Sequence, residues 1–221
     1  MLLWPRGAGA ALGTALAEAF RTSAAYLASA IGCLTGREAA SAQLGGQASA
    51  AGARLDDALR QYLAEKGTKL VSLESVAALA NGATRLRLAG MAIADLPATA
   101  TTANAATGAV GSRPNGADDD RLAQPIQVLA HRAQEVTSWY AALADGFLDG
   151  QAPPQPQASG ESFLQVVLPA VDRCGDAELA ARAEQLLWSG QYLGDVTQLR
   201  SHLIEPAGQV VAAGARPWWR R

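Results

Sequence analysis

Eight apolar residues between positions 122 and 147 constrain this chain more than anything else in it. Leu122, Ile126, Leu129, Ala133, Val136, Tyr140, Leu143 and Phe147 follow one another at alternating steps of four and three. That rhythm averages 3.5 residues, so it keeps every member on one stripe of an α-helix and would scatter them over both faces of a strand. A stripe this long needs a facing stripe to cover it. The segment therefore predicts a long helix packed lengthwise against other helices.

The rest of the chain repeats the pattern. Leu12, Leu16, Ala19, Ser23, Tyr26 and Ala30 line a first helix over residues 8 to 33, with Gly32 and Gly36 flanking its end. Thr35 followed by Glu38 has the form of a capping box, which predicts the start of a second helix there. That helix runs to about Lys66, with Leu44, Ala48, Ala51, Leu55, Ala58, Tyr62 and Leu63 on its inner side and Gly67 as its stop. Its Gly45-Gly46 pair softens it or admits a close neighbour. Ser72 can cap a third helix whose seam of Val76, Leu79, Ala83, Leu86, Gly90 and Ile93 runs to Pro97. Asp118, Asp119 and Asp120 suit the start of the fourth helix, which Pro125 bends slightly. A short helix around Ser162 to Arg173 precedes a long one from Asp176, with Leu179, Ala183, Leu186, Gly190 and Leu193 facing inward.

Two stretches interrupt this order. Residues 98–119 are small and polar, and residues 150–160 form a Pro/Gln-rich linker, so both read as mobile loops. No segment has the period-two alternation of a strand. The expected fold is all-α, a bundle of five to six amphipathic helices, mostly up-and-down and antiparallel, with the linkers allowing one longer crossover. It divides as a lead over 1–7, a bundle over 8–205 and a tail over 206–221. Alanine is abundant in the chain and leucine lines most of the seams, so thin Ala-Leu cores with closely spaced helices are expected.

Several functional classes are disfavoured. A net charge of -2 offers no extended basic surface for nucleic acid. Cys33 and Cys174 lie far apart without CxxC spacing, which fits a reduced, cytoplasmic setting. No run reaches the length of a membrane span, and the first residues lack the pattern of an export signal. His131 with Glu135, and His202 with Glu205, could each share a helix face, but the Glu-x-x-His order of bundle metal sites is absent. No phosphate loop, nucleophile elbow or Cys/His catalytic set is evident, so no enzyme, cofactor or metal is expected. Asp56, Asp57, Arg60 and Glu65 read as a solvated helix face with an Asp56–Arg60 pair. Arg85 and Arg87 are placed to reach a carboxylate of the second helix, and Trp188-Ser189-Gly190 falls inside a continuous helical pattern.

The two ends share a chemistry. Leu2, Leu3, Trp4 and Arg6 at one end, and Trp218, Trp219, Arg220 and Arg221 at the other, combine indole rings with arginine as membrane interfaces do. They are the candidate membrane-interface residues.

Two motifs carry a family resemblance. Leu3-Trp4-Pro5-Arg6-Gly7 looks like the exit from a final membrane helix, and Asp56-Asp57-Ala58-Leu59-Arg60-Gln61-Tyr62-Leu63 lies in the hairpin of residues 54–97. In these the chain resembles the helical region that follows the last membrane span in FUSC-type proteins, the fusaric-acid-resistance and aromatic-acid-exporter group. The resemblance covers the opening, the first three helices and, more loosely, the last. It implies a non-enzymatic helical domain at the cytoplasmic face of the inner membrane, serving assembly or regulation of an efflux transporter. The partners it implies are the membrane surface, the protein's own transmembrane part or further copies of the chain. The membrane helices that would form a permeation path have no counterpart here. The other reading is a free-standing bundle that binds a ligand or a partner protein, the latter through the seam of the fourth helix.

Overall fold

The computed structural model describes residues 8–37, 41–65, 71–107, 116–156, 163–171 and 177–214, and these fold into helices without a strand among them. The helices are α1 (Ala8–Leu34), α2 (Ala42–Ala64), α3 (Leu73–Thr107), α4 (Gly116–Asp149), α5 (Phe163–Val171) and α6 (Ala177–Gly214). They pack on one another as a bundle.

Helix ends follow local chemistry. Gly36 takes φ 70°, and the Arg37 amide donates to the Gly32 carbonyl at 2.8 Å while the Gly36 amide donates to Cys33 at 3.0 Å. This is the left-handed glycine stop that closes α1. Thr35 belongs to that stop and caps no second helix, because its hydroxyl bonds back to the Ile31 carbonyl at 2.8 Å. The cap of α2 is Ser41, whose hydroxyl accepts from the Leu44 amide at 3.4 Å. Ser72 caps α3 as expected, accepting from the Ser75 amide at 3.1 Å. Ser72→Ala is expected to lower stability by about 1 kcal/mol, whereas Thr35→Ala should stay within about 0.5 kcal/mol, measured by urea unfolding. The expected α2 stop at Gly67 lies outside the described residues.

Three expected boundaries give way to longer helices. α3 passes Pro97 and continues to Thr107, and α4 is helical from Gly116, so much of the anticipated 98–119 loop is helix. A proline bends a helix without necessarily ending it, and the Ala-rich sequence that follows favours continuation. The 206–221 tail is shorter than expected for the same reason: α6 runs through Pro206 to Gly214 with Ala207 fully buried. Residues 151–156 of the second linker are tied to α4. The Trp139 indole donates to the Pro154 carbonyl at 2.9 Å, and the Gln151 amide to Gly146 at 3.1 Å.

Pairs of touching residues give the helix directions. Glu18 meets Arg54 and Tyr26 meets Gly45, so α2 runs against α1. Phe20 lies at Gly82 and Leu27 at Gly90, so α3 runs with α1. Ser75 bonds Gln209, Leu203 lies at Gly82 and Gln185 bonds Leu96, so α6 runs against α3. Phe20 and Arg21 of α1 meet Tyr140, Phe147 and Asp145 near the end of α4, so an α4 parallel to α1 would begin roughly 75 Å from the end of α3, more than the roughly 30 Å that residues 108–115 can span; α4 therefore runs against α1 and α3. The first four helices are thus up, down, up, down, and the long link carrying α5 makes the crossover to α6.

α1 is the centre of this arrangement, packing on α2, α3, α4 and, over a smaller area, α6. The expected stripe through Leu12, Leu16 and Ala19 is buried, and so is a second one through Phe20, Ala24, Leu27 and Ile31. A helix apolar on more than one face belongs inside. Phe20 stacks on Tyr140 with centroids 5.8 Å apart and on Phe147 at 6.1 Å, while Trp139 meets Tyr140 edge-on at 5.0 Å. α5 is seated by a close approach, since a Cβ at Gly190 would lie 2.1 Å from the Phe163 ring. Gly190→Ala is therefore expected to displace α5 and cost about 1–3 kcal/mol, read by thermal unfolding and by faster proteolysis near Phe163.

Candidate functional site

The eight candidate membrane-interface residues, Leu2, Leu3, Trp4, Arg6, Trp218, Trp219, Arg220 and Arg221, lie outside the described residues. The remaining sequence candidates fall on the bundle surface. His131 Nε2 approaches Glu135 Oε1 at 3.4 Å, both exposed, whereas no such contact joins His202 to Glu205. Arg60 pairs with Asp57 at 3.0 Å, three residues away, and not with Asp56. Arg87 does not cross to a carboxylate of α2. It packs at Gly52 and donates to the Met91 sulfur at 3.7 Å, and the ion pair that leaves α2 instead joins Arg54 to Glu18 of α1 at 2.6 Å. Among the described residues no three His, Cys, Asp or Glu side chains cluster as metal ligands would.

The packing order leaves one face conspicuous. α1, α3, α6 and α4 form a four-sided core, each touching the next, and each adjacent pair has an outer furrow. α2 lies on α1 and α3, α5 lies on α4 and α6, and the Arg21–Asp145 ion pair spans α1 and α4. Among the described residues the α3/α6 furrow has no such cover. It is a groove of about 720 Å³, open to solvent.

Helical spacing explains its lining. Arg85, Leu88, Met91 and Ala92 rise along α3, and Tyr192, Asp195, Leu199 and His202 along α6. The small side chains of Ala89 and Ala92 leave the floor open. Leu88 is 49% exposed and Met91 37%, and Trp188, one turn before Tyr192 on α6, is 50% exposed. Leu73, Leu148, Leu164 and Leu168 are comparably exposed elsewhere on the bundle. Charge sits at the edges of the groove: Arg85 forms no ion pair with a described residue, and Asp195 accepts only a 3.2 Å bond from Gln191. Leu88, Met91 and Tyr192 stand off the inward seams of α3 and α6 that the spacing reveals, so periodicity alone does not single them out.

A second cavity, about 250 Å³, lies between α4, α5 and α6 and includes Arg132, Glu135, Phe163, Asp195 and Arg200. Arg200 is only 6% exposed, and its Nε donates to the Thr197 carbonyl at 3.2 Å. No carboxylate of a described residue pairs with it.

Among the described residues the helical bundle thus carries a solvent-open groove between α3 and α6. Compared with protein-family models, curated proteins and solved structures, the chain matches none.

Proposed function

We propose that this chain is the helical, non-enzymatic domain of a FUSC-type inner-membrane transporter, serving assembly or regulation of the membrane part in the efflux of small compounds, aromatic acids among them. The observation that carries the reading is the position of α1. Leu3-Trp4-Pro5-Arg6-Gly7, the motif that resembles the exit from a membrane span, is followed at once by Ala8, the first residue of the helix on which α2, α3, α4 and α6 pack. A chain entering from a membrane by this route would feed its core helix and not a loose tether. A tilt of the span would then reach every element that touches α1. No helix among the described residues is long and apolar enough to cross a membrane, so the spans would be supplied by other residues.

The test is the coding sequence directly upstream of Met1, read in frame. Several hydrophobic segments of spanning length support the proposal, and a stop codon before any such segment removes it. A second reading, a free-standing bundle that binds a ligand or partner, has the open α3/α6 groove in its favour.

A further inference from the structure

We propose that the cavity between α4, α5 and α6 binds a small organic anion of single negative charge, a monocarboxylate with a short apolar body. Its anchor is Arg200, which is 6% exposed and lines the cavity. The Arg200 Nε donates to the Thr197 carbonyl at 3.2 Å, and the guanidinium has no other partner among the described residues. Yet no side-chain nitrogen among them is both sealed from solvent and without a partner. The two terminal nitrogens of Arg200 therefore open onto the cavity. Parallel N–H donors on one guanidinium match the two oxygens of a carboxylate, and a buried cation without a counter-charge gains most from such a ligand. Charge and wall chemistry narrow the class. Arg132 adds a second cation to the lining, from α4. The lining carboxylates, Glu135 and Asp195, are exposed and already engaged, Glu135 with His131 at 3.4 Å and Asp195 with the Gln191 amide at 3.2 Å. The interior is thus positive and the rim acidic, an arrangement that admits one negative charge and repels a dianion such as phosphate. Leu129, Val136, Phe163 and Leu193 are buried and give the cavity an apolar wall. Its 250 Å³ equals about eight water volumes, room for a ligand of about eight non-hydrogen atoms.

The inference is read from the cavity alone and stands whether or not the transporter proposal does. The test is isothermal titration of the chain in carboxylate-free buffer at constant ionic strength, with hexanoate as the probe and hexanol and inorganic phosphate as controls. Hexanoate is expected to saturate a single site, and neither the alcohol nor phosphate should approach its affinity. Arg200→Met should weaken hexanoate binding roughly tenfold or more, and Arg132→Gln roughly threefold, each with unchanged helicity. Gly194→Leu keeps both arginines and fills the cavity instead. A Cβ at Gly194 would meet nothing within 4 Å, so the leucine enters open space at the cavity wall and should block binding while the helix, which favours leucine over glycine, stays folded. The proposal is overturned if hexanoate shows no saturable binding, if hexanol or phosphate binds as tightly, or if hexanoate binding survives both Arg200→Met and Gly194→Leu.

Discussion

Tyr140→Ala is expected to cost about 3–5 kcal/mol, because it removes a fully buried ring and leaves a cavity that a well-packed interior closes only in part. Tyr140 is 0% exposed, stacks on Phe20, meets Trp139 edge-on and donates its hydroxyl to the Val196 carbonyl at 2.7 Å. For a chain of this size the loss corresponds to a fall in Tm of about 10 °C. Tyr140→Phe keeps the ring and loses only the hydrogen bond, about 1 kcal/mol. The two variants together separate packing from polarity, and a Tyr140→Phe loss as large as that of Tyr140→Ala would contradict the assignment. The same residue sets an alkaline limit. Burial raises the Tyr140 phenol well above its ordinary value, with the nearby Arg200 charge opposing the rise. The folded chain therefore holds the proton after the unfolded chain has begun to release it. Stability from this group is complete below about pH 10 and falls above it by about 1.4 kcal/mol per pH unit, until the folded-state value is passed. Urea unfolding at about pH 9 and about pH 11 should show this component in the native chain and not in Tyr140→Phe.

Arg200→Met is expected to make the protein more stable, by about 1 kcal/mol. Arg200 is largely buried, yet no side-chain nitrogen among the described residues is both buried and without a partner, so the guanidinium nitrogens beyond Nε keep contact with solvent through the 250 Å³ cavity and only part of the hydration is lost. Arg200 has the Thr197 carbonyl and no carboxylate partner among the described residues. Methionine fills much of the same space without the charge. The substitution should also raise the Tyr140 phenol further, since it removes the opposing charge. Thermal and denaturant unfolding of Arg200→Met measure both effects. A variant less stable than the native chain would mean that the guanidinium is held by a counter-ion in the 250 Å³ cavity beside it.

The helices of this bundle were legible wherever one stripe of bulky residues fixed one face. The seam of α4 was readable because Leu122, Leu129, Val136, Tyr140 and Leu143 leave a single choice of inner face, and all are buried. In α1 the same reading stopped short. The stripe through Leu12 and Leu16 looked sufficient, while Phe20, Ala24, Leu27 and Ile31 formed a second stripe with the same rhythm. Two stripes on one helix were the available sign of a central position. Leu63, placed on the inner side of α2 by spacing, is 43% exposed, because α2 presents only the line through Ala48, Ala51, Leu55, Ala58 and Tyr62 to its neighbours. The helix end expected at Pro97 and the tail expected over 206–221 give way because flanking helix-forming sequence carries the backbone through Pro97 and Pro206.

The groove was less accessible to sequence. Leu88, Met91 and Trp188 are individually ordinary apolar residues on long helices. The antiparallel register of α3 and α6 sets Leu88 and Met91 beside Tyr192 along one furrow that no described residue covers. That register is a tertiary property. Likewise, the buried state of Arg200 depends on α4 and α5 closing over α6.

The central claim, that this bundle is the helical domain of a membrane transporter, is tested most directly by fractionating cells of the source organism and probing with an antibody raised against the bundle. The account predicts a polypeptide larger than the 22.8 kDa of these residues, retained in membranes after alkaline carbonate washing. A 22.8 kDa species recovered entirely in the soluble fraction would contradict it.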